Sequence, residues 1–226
     1  MKFGILLSGC GVYDGAEIQE TTMAMLAIVE AGHEYQCIAL NKLQHHVVNH
    51  LTGEEQDEER NMMVEAARIA RGDVKEVKDV SPADIDALVI PGGFGSAKNF
   101  TKWAFNGPEG EIDDEIKLML VNMINVGKPV CALCVSPVVV AKALEGSGIK
   151  PFLTLGSDQA SSPYDINGFN AGIEAVGAEA HMRTINEIQL DIKNKIVSAP
   201  CYMMDANILE IRNNVQQAIE ATISMM

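Results

Sequence analysis

The sequence predicts a doubly wound α/β fold with a mostly parallel sheet and helices on both faces. Three observations predict it. Continuous apolar runs such as residues 3–7 and Val130–Leu133 read as strands buried on both faces, not as alternating half-exposed ones. Segments with helical apolar spacing separate these runs, the pattern of a parallel sheet joined by right-handed crossovers. Glycine-rich turns follow two strands, at 8–15 and 91–95, where sheets of this kind carry their binding loops.

The first strand is 3–7. The turn Ser8-Gly-Cys-Gly-Val-Tyr-Asp-Gly15 leads it into a helix over about 16–31, with Ile18, Met25, Leu26 and Val29 as apolar positions and Gly32 as its stop. A second strand covers 35–40. Residues 41–53, which hold His45, His46 and His50, form an irregular segment. The spacing of Met62, Ala66, Ile69 and Ala70 predicts a helix over 57–71, closed by Gly72. Asp84 begins a short turn before the strand Ala87–Ile90, which Pro91-Gly-Gly-Phe-Gly95 breaks. A helix over 113–125 ends at Gly127, and the strand Val130–Leu133 runs almost directly into a helix over 136–144. The pattern loosens after Leu153-Thr-Leu155. Alternation over 187–192 followed by 194–198 predicts a C-terminal β-hairpin, and an amphipathic helix covers about 205–224. No repeat, linker or low-complexity tract divides the chain, so one domain over 1–226 is expected.

Composition narrows the function. An apolar fraction of 47% supplies a core. A net charge of −14 argues against nucleic acid and against anionic membrane surfaces. Residues 3–7 are too short for a secretory apolar core, and no run approaches a membrane span. Five cysteines are an odd number for a secreted disulfide framework, so a cytoplasmic protein with reduced thiols is expected.

The sharpest chemical signal is Cys134. A strand that enters a helix with no loop between must turn tightly there, and the small Ala132 and Ser136 flank it as such a turn requires. This is a cysteine form of the nucleophile elbow. The following helix N-terminus favours a thiolate. The competing reading is a buried core cysteine. Backbone N–H groups of Gly92, Gly93 and Val135 suit a developing oxyanion, although Pro-Gly-Gly also makes a plain turn. Glu17 and Glu20 share a face of the first helix, which opens at the same sheet edge, and a carboxyl held against a thiol has the raised pKa a general base needs. An acid in a first helical turn also simply complements the helix dipole. No histidine adjoins Cys134 in sequence, leaving His50 and His181 as free candidates. The histidines lack helical i, i+4 spacing and the cysteines are scattered, so no metal is expected. Cys131-x-x-Cys134 has its first cysteine inside the strand, which speaks against a dithiol switch.

The assembled motifs resemble the class I glutamine amidotransferase-like superfamily in its PfpI/ThiJ branch, and more closely the ElbB proteins, often described as isoprenoid-biosynthesis-associated glyoxalases. Ser8-Gly-Cys-Gly-Val-Tyr-Asp-Gly15, Asn49-His-Leu-Thr-Gly-Glu54, Ala66-Ala-Arg-Ile69, Pro91-Gly-Gly-Phe-Gly95, Ala97-Lys-Asn99, Gly127-Lys-Pro129, Asn194-Lys-Ile-Val197 and Tyr202-Met203 carry the likeness over nearly the whole chain. The resemblance implies a flavodoxin-like sandwich with Cys134 as nucleophile, Glu20 as the glutamate that contacts it and Glu17 one turn before. Cys10, Tyr13, His50, Asn99 and Tyr202 are further candidates for the pocket, the histidine segment lining it or capping the sheet edge. The resemblance also implies a weak, cofactor-independent glyoxalase that converts glyoxal or methylglyoxal to a hydroxy acid through a Cys134 hemithioacetal, and a homodimer. Val135 stands where the superfamily's proteases and chaperone-like glyoxalases often carry histidine, which argues against proteolysis. Two other readings stay open: a redox sensor using a low-pKa Cys134, and an acyl- or amide-transfer enzyme built on the same thiolate.

Overall fold

The computed structural model describes residues 1–226. In chain order its elements are β1 (Lys2–Leu7), α1 (Ile18–Glu30), β2 (Glu34–Ala39), α2 (Met62–Ile69), β3 (Val74–Glu76), β4 (Ala87–Ile90), α3 (Trp103–Asn106) and α4 (Asp114–Asn125). There follow β5 (Val130–Leu133), α5 (Pro137–Leu144), β6 (Phe152–Leu153), α6 (Ile166–Ala175), β7 (Glu179–Ala180), β8 (Gln189–Asp191), β9 (Ile196–Ala199) and α7 (Ile208–Ser224).

The main sheet runs β3-β2-β1-β4-β5-β9-β8. Every pairing is parallel except β8 with β9, the expected C-terminal hairpin, where Gln189 lies opposite Ser198. Strands β1, β2, β4, β5 and β9 are the apolar ones, and from Leu88 to Ile90 and Val130 to Leu133 every residue is buried. Such strands need cover on both faces. Right-handed crossovers supply it: the chain winds outward through α1 in one direction and through α4 in the other, so these helices lie on opposite faces. Helix α1 packs on α7, and α4 packs on α5. Nearly all the buried apolar side chains form one connected cluster, Val47 and Met204 standing outside it.

The winding reverses between β1 and β4, and ligands bind beyond the carboxyl ends of strands at such a point. The loops that leave β1 and β4 meet there: Gly95 N–H donates to Gly15 O at 3.0 Å, and Phe94 N–H to Val12 O at 2.7 Å.

Some boundaries differ from the sequence reading. Helix α2 starts at Met62 rather than near 57, because Asn61 caps it, its Oδ1 accepting from Met63 N–H and Val64 N–H. Helix α7 starts at Ile208, where Asn207 and Glu210 form a capping box. Helix α6, β3, the two-stranded sheet β6–β7 and a π-type turn over Ser96–Phe100 are further elements. No helix is long and apolar enough to cross a membrane.

Candidate active site

Cys134 adopts φ +56°, the left-handed region that an L-residue enters only under constraint. It directly follows β5, and α5 starts three residues later. The turn is fastened on both sides. Cys134 N–H donates to Ala199 O at 2.9 Å, and Ser136 N–H to Leu133 O at 2.9 Å. Ser136 Oγ donates to Pro91 O at 2.6 Å and meets Ser96 Oγ at 2.9 Å. Ser136 thereby ties the elbow to the glycine loop after β4, which is why a small hydroxyl residue suits that position.

Glu20 reaches the elbow from the first turn of α1 and is fully buried. Gly92 N–H donates to its Oε2 at 2.8 Å, and Tyr202 N–H to its Oε1 at 3.3 Å. Burial pushes its carboxyl up to about 8, and the charge of Glu17 adds to the rise, while the two backbone donors and the Cys134 thiol pull the other way. The thiol rises well above its ordinary value, first through burial and then through Glu20, against the N–H groups of Gly93 and Val135 that hydrogen-bond its sulfur. The resting thiol is thus neutral. The sequence predicts a thiolate; burial and a neighbouring acid favour the neutral thiol instead.

Gly92 departs from its expected oxyanion role, because its N–H is already engaged by Glu20. The N–H groups of Gly93 and Val135 act instead on the Cys134 sulfur. Neither glycine tolerates a side chain. A Cβ on Gly92 would lie 2.3 Å from Cys134 Cβ and 2.5 Å from Glu20 Oε2, and one on Gly93, at φ +93°, would lie 2.3 Å from Gly15 O.

Glu17 is the N-cap of α1 rather than a residue within it. Its Oε2 accepts from Glu20 N–H at 2.6 Å, and its own N–H donates to Gly92 O at 2.8 Å. Burial raises its carboxyl. It also lines a cavity of about 340 Å³ with Val12, Tyr13, Gln19, Pro163, Tyr164, Tyr202, Met204, Asp205 and Ala206. Glu17, Tyr164 and Tyr202 in that lining are the residues that neighbour the Cys134–Glu20 pair.

Of the five expected pocket residues, Tyr13 and Tyr202 line this cavity and the other three do not. His50 stands behind Tyr13. Its Nε2 accepts from Tyr13 N–H at 3.2 Å, which leaves Nδ1 to donate to Val48 O at 2.9 Å. Both ring nitrogens are thereby occupied. Asn99 fastens the first glycine loop, its Nδ2 donating to Ser8 O and Asp14 O, each at 2.9 Å, and it lines a different cavity of about 270 Å³. Cys10 is half-buried, and the charges of Glu65, Arg68 and Asp14 around it place it towards α2. His181 pairs with Glu179 at 3.2 Å beside the small sheet. No group of three or more His, Cys, Asp or Glu side chains is arranged to hold a metal ion.

Sequence reasoning missed Tyr164 and Cys201. Tyr164 is raised to about 12, by burial and then by Cys134. It comes from the stretch where periodicity fades, so no local signal marked it. Cys201 is fully buried at φ +44°, and its N–H donates to Asn214 Oδ1 at 3.0 Å. That strained turn directs the next N–H, of Tyr202, to Glu20.

Residues 10–149 match the model described as the DJ-1/PfpI family. The chain belongs to the DJ-1/PfpI family. It is 33% identical over 228 residues to human "Glutamine amidotransferase-like class 1 domain-containing protein 3, mitochondrial", covering 99% of this chain and 83% of the relative. An isoprenoid biosynthesis protein with amidotransferase-like domain from Ehrlichia chaffeensis superposes with a TM-score of 0.89 at 31% identity, with both chains fully covered. Glyoxalase III from Candida albicans shares the DJ-1/PfpI fold at a TM-score of 0.59 and 16% identity, over 98% of this chain and 97% of that one. The likeness read from the motifs therefore holds at the level of superfamily and fold.

Proposed function

We propose that this DJ-1/PfpI protein is a cofactor-independent, glyoxalase-type enzyme that turns glyoxal or methylglyoxal into the corresponding hydroxy acid. The observation that carries the reading is the Cys134–Glu20 pair: a thiol on a strained elbow and a fully buried carboxyl, raised to about 8, that both lie against Gly92. Cys134 Sγ bonds to the aldehyde carbon, and the thiol proton ends on the carbonyl oxygen, giving a hemithioacetal. Glu20 removes the proton from that carbon to leave an enediol. It returns a proton to the neighbouring carbon, which yields a thioester of Cys134. Water cleaves the thioester, releasing the hydroxy acid and restoring the thiol, so the sum is dicarbonyl plus water. Gly93 and Val135 N–H groups stabilise the oxyanion. A carboxyl with a pKa of about 8 suits a group that must both take and give a proton near neutral pH.

Methylglyoxal turned over in D2O tests this route. Lactate carrying deuterium at C2 is expected; lactate without it points to a hydride shift, and no lactate overturns the reading. The alternative, a redox sensor with a low-pKa Cys134, draws less support, because burial and Glu20 raise that thiol. The cytoplasm is the setting we propose, although the human relative is a mitochondrial protein by name. A homodimer is the assembly suggested by the family resemblance.

A further inference from the structure

We propose that the cavity beside Cys134 selects α-oxoaldehydes bearing an uncharged apolar or aromatic group and turns away anionic ones. The proposal rests on the glyoxalase reading of the same site and names its substrate class. Size is the first argument. The cavity measures about 340 Å³. A three-carbon dicarbonyl has five non-hydrogen atoms and fills only about 100 Å³, roughly three to four waters at about 30 Å³ each. The remainder has room for a ring.

The walls are the second argument. Tyr13, Tyr164 and Tyr202 surround the space with Pro163 and Met204. Aromatic and thioether surfaces of this kind hold a flat apolar group by offset or edge contacts. Tyr164 is itself fixed edge-on by Phe94, with ring centroids 5.8 Å apart. Tyr202 hydroxyl donates to Gln19 Oε1, which fixes the opposite wall.

Charge is the third. The lining carries two carboxylates, Glu17 and Asp205, and no Lys, Arg or His. The nearby amine of Lys98 donates to Tyr13 O at 2.8 Å and stands 5.8 Å from the Phe94 ring centroid, so it is held by the backbone outside the cavity. A carboxylate or phosphate on the substrate would lose water here without meeting a cation, and would face like charge. A chain of net charge −14 adds a repulsive field to the approach.

Two measurements test the proposal. Turnover of 4-methylphenylglyoxal is compared with that of 4-carboxyphenylglyoxal, near-equal in size but different in charge. The neutral compound is expected to have a kcat/KM at least about tenfold higher, and also to exceed methylglyoxal. Separately, alkylation of Cys134 by iodoacetamide and by iodoacetate is followed at pH 9 by peptide mass mapping. The rate ratio at Cys134 is expected to exceed that of N-acetylcysteine about tenfold, and to shrink in Asp205→Asn and in high salt. Equal turnover of the two arylglyoxals, or an alkylation ratio equal to that of the free thiol, overturns the proposal. If no glyoxal is turned over while the alkylation ratio stays high, the glyoxalase reading fails and the charge selection stands for other chemistry at the same thiol.

Discussion

Gly92 and Glu20 are locked together: the glycine N–H donates to Glu20 Oε2 at 2.8 Å, and a Cβ at position 92 would lie 2.5 Å from that oxygen and 2.3 Å from Cys134 Cβ. Three strands thereby contribute to one contact, since β1 leads into the helix of Glu20, β4 into Gly92 and β5 into Cys134. Gly92→Ala is expected to push Glu20 and Cys134 apart. Overpacking of this kind costs about 1–3 kcal/mol, and thermal unfolding should register a drop of about 2–12 °C for a chain of this size. Hydroxy-acid formation should fall by at least about a hundredfold.

Stability should depend on pH through Glu20. Its carboxyl is raised from the ordinary range to about 8 by burial, so the folded state holds a proton that the unfolded state releases. Between about pH 4.5 and 8 the native chain therefore binds more protons, and stability decreases as pH rises across that window. The contribution is fully present at the acid end and lost as pH passes the folded value. Denaturant unfolding at a series of pH values should show this decline in the wild type and a flatter profile in Glu20→Gln.

His50 belongs to the scaffold. With Nε2 on Tyr13 N–H and Nδ1 on Val48 O, neither ring nitrogen is left for a proton relay. His50→Ala should keep kcat within about threefold of wild type, any larger effect falling on KM through Tyr13. It should lose about 1 kcal/mol of stability for the broken hydrogen bonds. Steady-state kinetics and urea unfolding separate the two effects.

Asn214 acts on Glu20 at one remove. From α7 its Oδ1 accepts from Cys201 N–H at 3.0 Å and its Nδ2 donates to Glu187 O at 2.9 Å, fixing the strained turn that aims Tyr202 N–H at Glu20 Oε1. That N–H lowers the carboxyl pKa, so Asn214→Ala should move the Glu20 midpoint in the pH–rate profile upward. A purely structural loss would reduce stability and leave that midpoint in place.

The strands and the elbow were legible because their causes are local. A fully buried parallel strand must be continuously apolar, and β5 abutting α5 at Cys134 left no residues for any connection other than a sharp turn. Position on the first helix left Glu17 and Glu20 as joint candidates, and the family resemblance singled out Glu20. What stayed hidden is set by distant partners. Strands β6 and β7 are two residues each, too short to show a period, and the neighbouring Thr154 N–H is held by the distant Ser198 Oγ at 3.0 Å. Tyr164, Cys201 and Asn214 meet the site only through tertiary contact. The motif placed Gly92 at the centre, but only the acceptor opposite its N–H decides between an oxyanion donor and a clamp on Glu20. The same holds for Asn99 and His50, which hold the first glycine loop from outside the cavity.

Joint conversion of a dicarbonyl to a hydroxy acid by Cys134 and Glu20 is measured most directly as hydroxy-acid formation from glyoxal and methylglyoxal by the wild type, Cys134→Ala and Glu20→Gln. Turnover by the wild type is expected, with kcat/KM lowered at least about a hundredfold in Glu20→Gln and further in Cys134→Ala, both variants remaining folded. A folded wild type that forms no hydroxy acid, or a Cys134→Ala protein that forms it at the wild-type rate, would contradict that joint role.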